Sequence, residues 1–255
     1  DLLPHLAAEQ MQKTAGKVIA GEQLNVILGT EPIEGEGSDL VKLNIMKWLN
    51  ENYGLIEADF QTAELTIVPA GRCREVGFDR SLISAYGHDD RVCAYAELDA
   101  LFAIENPKKT AVCILADKEE IGSVGISGMK SHYFEHFVGG LCDAQGVTLE
   151  DCFANSFCLS ADVSNAHDPN FPEVSDRRNN SALNYGIAIC KYTGSRGKSG
   201  ASDASAEAMG HIRSTFDNAG VQWQVATLGK VDAGGGGTVA AYMANRNIVT
   251  VDAGV

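Results

Sequence analysis

Two periods organise the apolar positions of this chain. From Cys73 onward, short apolar runs that read as strands alternate with longer stretches in which apolar residues recur at helical spacing. The runs at 111–116 (Ala-Val-Cys-Ile-Leu-Ala), 157–161, 185–192, 221–228 and 248–251 predict strands. The stretches 91–105, 128–137, 202–218 and 238–244 predict helices, with Pro107 stopping the first and Ser202 capping the third. Such alternation predicts an α/β fold, a mostly parallel sheet flanked by helices. Residues 1–72 read differently. Strands are expected at 22–29 and 64–70, and a helix at 40–53 ending on Gly54, around a loop rich in Gly, Glu and Pro. The pattern therefore predicts two parts, 1–72 and 73–255. The segment Gly194–Gly200 is the most flexible-looking stretch.

Bulk properties narrow the function classes. The chain is 45% hydrophobic and 21% charged, ordinary for a globular protein. Its 34 acids and 20 bases give a net charge of −14, which argues against nucleic acid and against an anionic membrane as partner. The 7 cysteines are an odd number without a Cys-x-x-Cys pair, so buried free thiols fit better than a disulfide framework. No apolar run approaches the ~20 residues that span a bilayer. A cytoplasmic address is expected. The chain opens on Asp1 without a Met and stops at Val255, and it reads as an internal portion of a longer protein.

The chemistry concentrates in three acidic segments. Asp117-Lys118-Glu119-Glu120-Ile121-Gly122-Ser123 follows the apolar run 111–116, so a buried strand is expected to deliver adjacent carboxylates to its C-terminal edge. His88-Asp89-Asp90 precedes a helix, and Asp162 follows the run 157–161. Clustered carboxylates repel one another unless a cation neutralises them. A pair of divalent metals would do so, leaving one acid free to move protons. Alone, each segment has a plainer reading: Asp89-Asp90 as a helix cap, Glu119-Glu120 as a solvated turn, Asp162 as an Asx-turn residue.

Four motifs in order, GHDDRVCAY, DKEEIGS, SADVSNAHDPN and KVDAGGGGTVAAY, resemble the aspartyl aminopeptidase family of dinuclear zinc exopeptidases. The resemblance implies that residues 73–255 are catalytic domain and that 1–72 belong to a β-rich insert domain that builds oligomer contacts. It implies Asp89 as the bridging ligand, Glu120 and Asp162 as further metal ligands, and Glu119 as general base. Lys191, Gly236 and Gly237 would line the substrate cleft. It also implies zinc as cofactor (two ions per site, other divalent ions being alternatives), peptide substrates and a homo-oligomer. The family's two histidine ligands have no counterpart in this chain. Where the family often carries His-Pro-Asn, this sequence reads His167-Asp168-Pro169-Asn170, so no role passes to His167 or Asp168. Ser199-Gly200 stand where an Arg-Tyr pair is common, which loosens the tie to acidic N-terminal residues. The implied function is removal of N-terminal residues from peptides. The rivals are a dinuclear deacylase or carboxypeptidase, and a non-catalytic assembly or cargo homologue.

Overall fold

A computed structural model of the chain describes residues 2–196 and 199–255. The expected flexibility of Gly194–Gly200 falls partly on Gly197 and Lys198, which lie outside the described residues. The chain divides into two units, Asp1–Val68 and Pro69–Val255.

In the first unit, four single-turn 3-10 helices (Pro4–Leu6, Gln10–Gln12, Ala15–Lys17 and Gly21–Gln23) precede α1 (Leu40–Tyr53) and α2 (Glu57–Thr62). Helix α1 ends where the sequence requires. Gly54 takes φ 72°, and its N–H closes on Asn50 O at 2.8 Å. The strands expected at 22–29 and 64–70 do not form. A strand is a paired object, and among the described residues neither segment has a ladder partner. Their apolar side chains stay exposed, as at Leu24 and Ile67, and Ala7 alone is buried among the described residues of this unit.

The second unit begins with a hairpin that the apolar pattern did not announce, β1 (Arg74–Val76) against β2 (Leu82–Ser84). Then follow α3 (His88–Ala103), a 3-10 turn (Glu119–Ile121), α4 (Tyr133–Gln145), α5 (Leu149–Ala154), β3 (Phe157–Ser160), β4 (Ile187–Cys190), α6 (Ala206–Ala219), β5 (Trp223–Val225), α7 (Ala240–Ala244) and β6 (Val249–Gly254). The main sheet runs β3-β6-β4-β5. Strands β3 and β6 are parallel, as are β4 and β5, while β4 and β6 are antiparallel. The expected α/β architecture, a central sheet flanked by helices, is therefore present.

Alternation along β6 splits its side chains between two faces. Val251 and Ala253 join Ile189 of β4 and pack against Ala208, Ile212 and Phe216 of α6. These α6 residues recur at i, i+4 and i+8, the apolar stripe seen in the sequence. A second cluster gathers Met129, Val138, Cys142, Phe153, Met243 and Ile248. Arg246 pins this cluster. Its Nε donates to Glu135 Oε1 at 2.7 Å, and its terminal nitrogens donate to the carbonyls of Met129 (2.9 Å) and Tyr242 (2.9 Å).

Three expectations shift. The cap of α6 is Ser205, whose Oγ accepts the Ala208 N–H at 3.2 Å, not Ser202. The helix expected over 128–137 starts only at Tyr133, because residues 123–131 are spent on turns, with Lys130 N–H on Ser123 O at 3.1 Å and Ser131 N–H on Gly128 O at 3.0 Å. The run 111–116 is irregular and has no ladder partner among the described residues. Ile114 and Ala116 are half-buried against the second cluster, while Val112 and Leu115 stay exposed.

Candidate metal centre

The first acids sit at the start of α3. Gly87 (φ 77°) turns the chain into the helix, and Asp89 and Asp90, joined by a cis peptide, depart from helical dihedrals. Asp90 Oδ1 accepts the Cys93 N–H at 3.1 Å, a capping bond that ties this residue to the helix backbone. Asp89 lies beside Glu120 instead, close enough to act on its proton affinity.

Glu119 and Glu120 open a 3-10 turn in a loop stapled to itself, not in a strand edge as expected. Ser123 N–H donates to Lys118 O (2.7 Å), Gly122 N–H to Glu119 O (2.9 Å) and Asp117 N–H to Ser127 O (3.1 Å), and the Ser123 side chain is fully buried. Ser123 anchors the turn from inside, while Glu120 and Ile121 remain exposed. Gly122 serves through its dihedral (φ 101°), since a Cβ there would meet open space. The Glu119 carboxyl is pushed above the usual carboxylate range by burial, then by the charges of Glu120 and Asp89. That of Glu120 is pushed up by Asp89. Lys118 does not offset this pair, because its ammonium lies 3.3 Å from Asp117.

Asp162 follows β3 and runs beside the end of β6. Ser164 N–H donates to Val255 O at 2.6 Å, and the Asp162 carbonyl lies so close to Gly254 that a Cβ there would overlap it. The Asp162 carboxyl accepts its neighbour's N–H, from Val163, at 2.8 Å. Burial, with lesser contributions from Asp252, Asp89 and Asp90, pushes it up to about 7. The charge of Asp89 thus reaches Glu120 most strongly and Glu119 and Asp162 more weakly.

Sequence reading missed two acids here. Asp252, 3% exposed in β6, stands in register with Ser160 and Cys190 and accepts the Thr238 hydroxyl at 2.5 Å. Burial raises it to about 6. An acid inside the apolar run 248–254 was the available signal. Glu97 of α3, raised to about 7 by burial and then by Asp90, accepts the Ala161 N–H. It lay hidden in an unremarkable helical stretch.

Two hollows adjoin at Thr238. A wide cleft of about 740 Å³ is lined by Glu119, Glu120, Ser123, Gly237, Thr238 and Tyr242. A cavity of about 30 Å³ is lined by Asp162, Thr193, Gly236, Thr238 and Asp252, among others. The expected cleft residues Gly236 and Gly237 thus fall one in each. Lys191 is committed elsewhere: its Nζ lies 2.5 Å from Asp203 Oδ1 and 2.8 Å from Ala204 O.

The family model described as "Aminopeptidase I zinc metalloprotease (M18)" matches residues 1–255. The chain belongs to the M18 aminopeptidase family. The match covers 1–72 as well as the acidic segments. A probable M18 family aminopeptidase 1 of Clostridium acetobutylicum is 50% identical over 260 residues, covering 100% of this chain and 56% of that protein. The crystal structure of the M18 aminopeptidase of Thermotoga maritima superposes with a TM-score of 0.93 at 45% identity, covering 100% of this chain and 57% of that one. The S. cerevisiae mApe1 dodecamer shares the fold, with a TM-score of 0.63 at 23% identity over 84% of this chain and 48% of that one. The M18 chain thus spans a little more than half the length of the first two relatives.

Zinc is the metal named for the M18 family, and the donor set is compatible with a divalent cation in charge. The charge of Asp89 raises Glu119, Glu120 and Asp162, which a cation would reverse. Among the described residues no group of three His, Cys, Asp or Glu stands close enough to close a coordination shell. The donors are all hard oxygens, whereas zinc sites commonly include nitrogen or sulfur.

Proposed function

We propose that this chain forms the metal-binding half of an M18 aminopeptidase that hydrolyses N-terminal residues from peptides. The carrying observation is that Asp89 raises the proton affinity of acids on two other segments. In this reading Asp89, Glu120 and Asp162 are the residues that would hold the divalent metal, with Asp89 as the shared ligand. Bound metal supplies positive charge that polarises the scissile carbonyl and acidifies water. Glu119, whose carboxyl already holds its proton more tightly than usual, would take a proton from the attacking water and return it to the leaving amine. Asp90 and Glu97 position the ligand loop, one through the Cys93 N–H and the other through the Ala161 N–H. Gly236 and Gly237 present backbone to the peptide. Lys191 supports the wall through Asp203 rather than touching substrate. Two zinc ions and a homo-oligomer belong to the same proposal, the latter supported by a fold relative described as a dodecamer.

The test is Glu119→Gln in the full natural chain. Metal content by elemental analysis should be retained while peptide cleavage falls by at least about a hundredfold. Unchanged cleavage removes Glu119 from its role. Parallel assays on N-acyl amino acids separate a deacylase, which would accept blocked amines.

A further inference from the structure

Helices α4 and α5 bring two thiols together in the second cluster. Phe134, Val138 and Cys142 recur at i, i+4 and i+8 along α4 and form the stripe that it turns to this cluster. Helix α5 turns Leu149, Cys152 and Phe153 to the same cluster. Phe153 stacks on Phe134, with ring centroids 5.5 Å apart and planes 7° from parallel. The turn between the helices fixes the cysteines as well. Gly146 (φ 69°) ends α4, the Val147 N–H donates to Cys142 O at 3.1 Å, and the Cys152 N–H donates to Thr148 O at 3.0 Å. Both cysteines are therefore tied to adjacent residues of one turn, and their thiols lie close enough for Cys152 to act on the proton affinity of Cys142. Exposure divides the pair: Cys142 is 3% exposed, whereas Cys152 is half-buried. Cys93, Cys158 and Cys190 are placed differently. Burial, joined by neighbouring carboxylates, disfavours the thiolate at each of these three.

We propose that Cys142 and Cys152 form a reversible oxidation site that closes to a disulfide in the presence of a hydroperoxide. Cys152, the more accessible of the two, reacts first. Its sulfur attacks the peroxide, an S–O bond forms, the O–O bond breaks, and the departing oxygen carries off the thiol proton as an alcohol or water. The Cys142 sulfur then attacks the sulfenic sulfur of Cys152. The S–S bond forms, the S–O bond breaks, and hydroxide leaves as water with the Cys142 proton. The two thiols lose two electrons and the peroxide gains them. Closure stops Cys152 short of the sulfinic acid, which a thiol cannot reduce. The site stands on the α4–α5 pair and is independent of the acids at the candidate metal centre.

The test treats the full natural chain, loaded with zinc, with hydrogen peroxide. Remaining thiols are alkylated, and the chain is cut before aspartates without reductant, since Asp143 and Asp151 separate the two cysteines. Mass spectrometry should find the Cys142 and Cys152 peptides joined and about 2 Da lighter than their sum, and dithiothreitol should part them. The cross-linked chain should melt a few degrees higher than the reduced one. The Cys152 peptide also carries Cys158, so Cys158→Ser should leave the link intact and Cys152→Ser should abolish it. In Cys142→Ser, Cys152 should run on to the sulfinic acid, about 32 Da heavier. Absence of the link in the natural chain, a link that survives Cys152→Ser, or one that requires Cys158 overturns the proposal. The natural chain decides the matter even if Cys142→Ser, altered in the core, fails to fold.

Discussion

Replacing Asp252 by Asn should stabilise the metal-free protein at alkaline pH and leave it nearly unchanged in acid. The carboxyl sits 3% exposed in the central strand of the sheet, and burial raises it from 3.8 to about 6. A group whose folded value is raised favours the folded state fully below its unfolded value. That contribution is lost as pH climbs from about 3.8 to about 6. The rise corresponds to about 3 kcal/mol of stability forfeited above that window. Asparagine has the same shape, its amide oxygen can still accept the Thr238 hydroxyl, and it never ionises. Urea titrations in chelator at pH 4 and pH 8 should therefore show only a small difference, about 0.5 kcal/mol, between variant and parent at the lower pH. At the higher pH the variant should gain about 3 kcal/mol, or roughly 6–12 °C in Tm. A gain of equal size at both pH values, or none at pH 8, would mean that Asp252 is not held by burial, and the reasoning fails.

Other substitutions probe different joints. Gly254→Ala would thrust a methyl into the Asp162 carbonyl, so about 2 kcal/mol should be lost in denaturant titration and zinc affinity should drop with it. Arg246→Ala strands Glu135 and frees the carbonyls of Tyr242, Met129 and Ser131. It should cost about 3 kcal/mol, and a double-mutant cycle with Glu135→Gln should be non-additive. Ser205→Ala removes the cap of α6 for about 1 kcal/mol, read by chemical denaturation, with Ser202→Ala smaller if the cap is assigned correctly.

Much of this arrangement was legible beforehand, and the exceptions share a cause. Helix α1 and its Gly54 stop, α6 with its Ala208–Ile212–Phe216 stripe, and β3 to β6 follow from local periodicity and capping, which a single chain displays in full. The segments 22–29, 64–70 and 111–116 failed as strands because pairing is a property of two segments, and periodicity describes one. Asp89, Glu119, Glu120 and Asp162 could be singled out because each stands at a boundary of an apolar run. Asp252 stands at the end of the run 248–251 as well, but its burial is visible only once the neighbouring strands are in place.

The register that aligns Ser160, Asp252 and Cys190 across adjacent strands has an evolutionary consequence. Three small or polar side chains on neighbouring strands share one layer of space beneath the acids, so none can grow or change sign without its neighbours. Drift at these positions in descendants of this chain should be correlated, with paired exchanges surviving where single ones are purged.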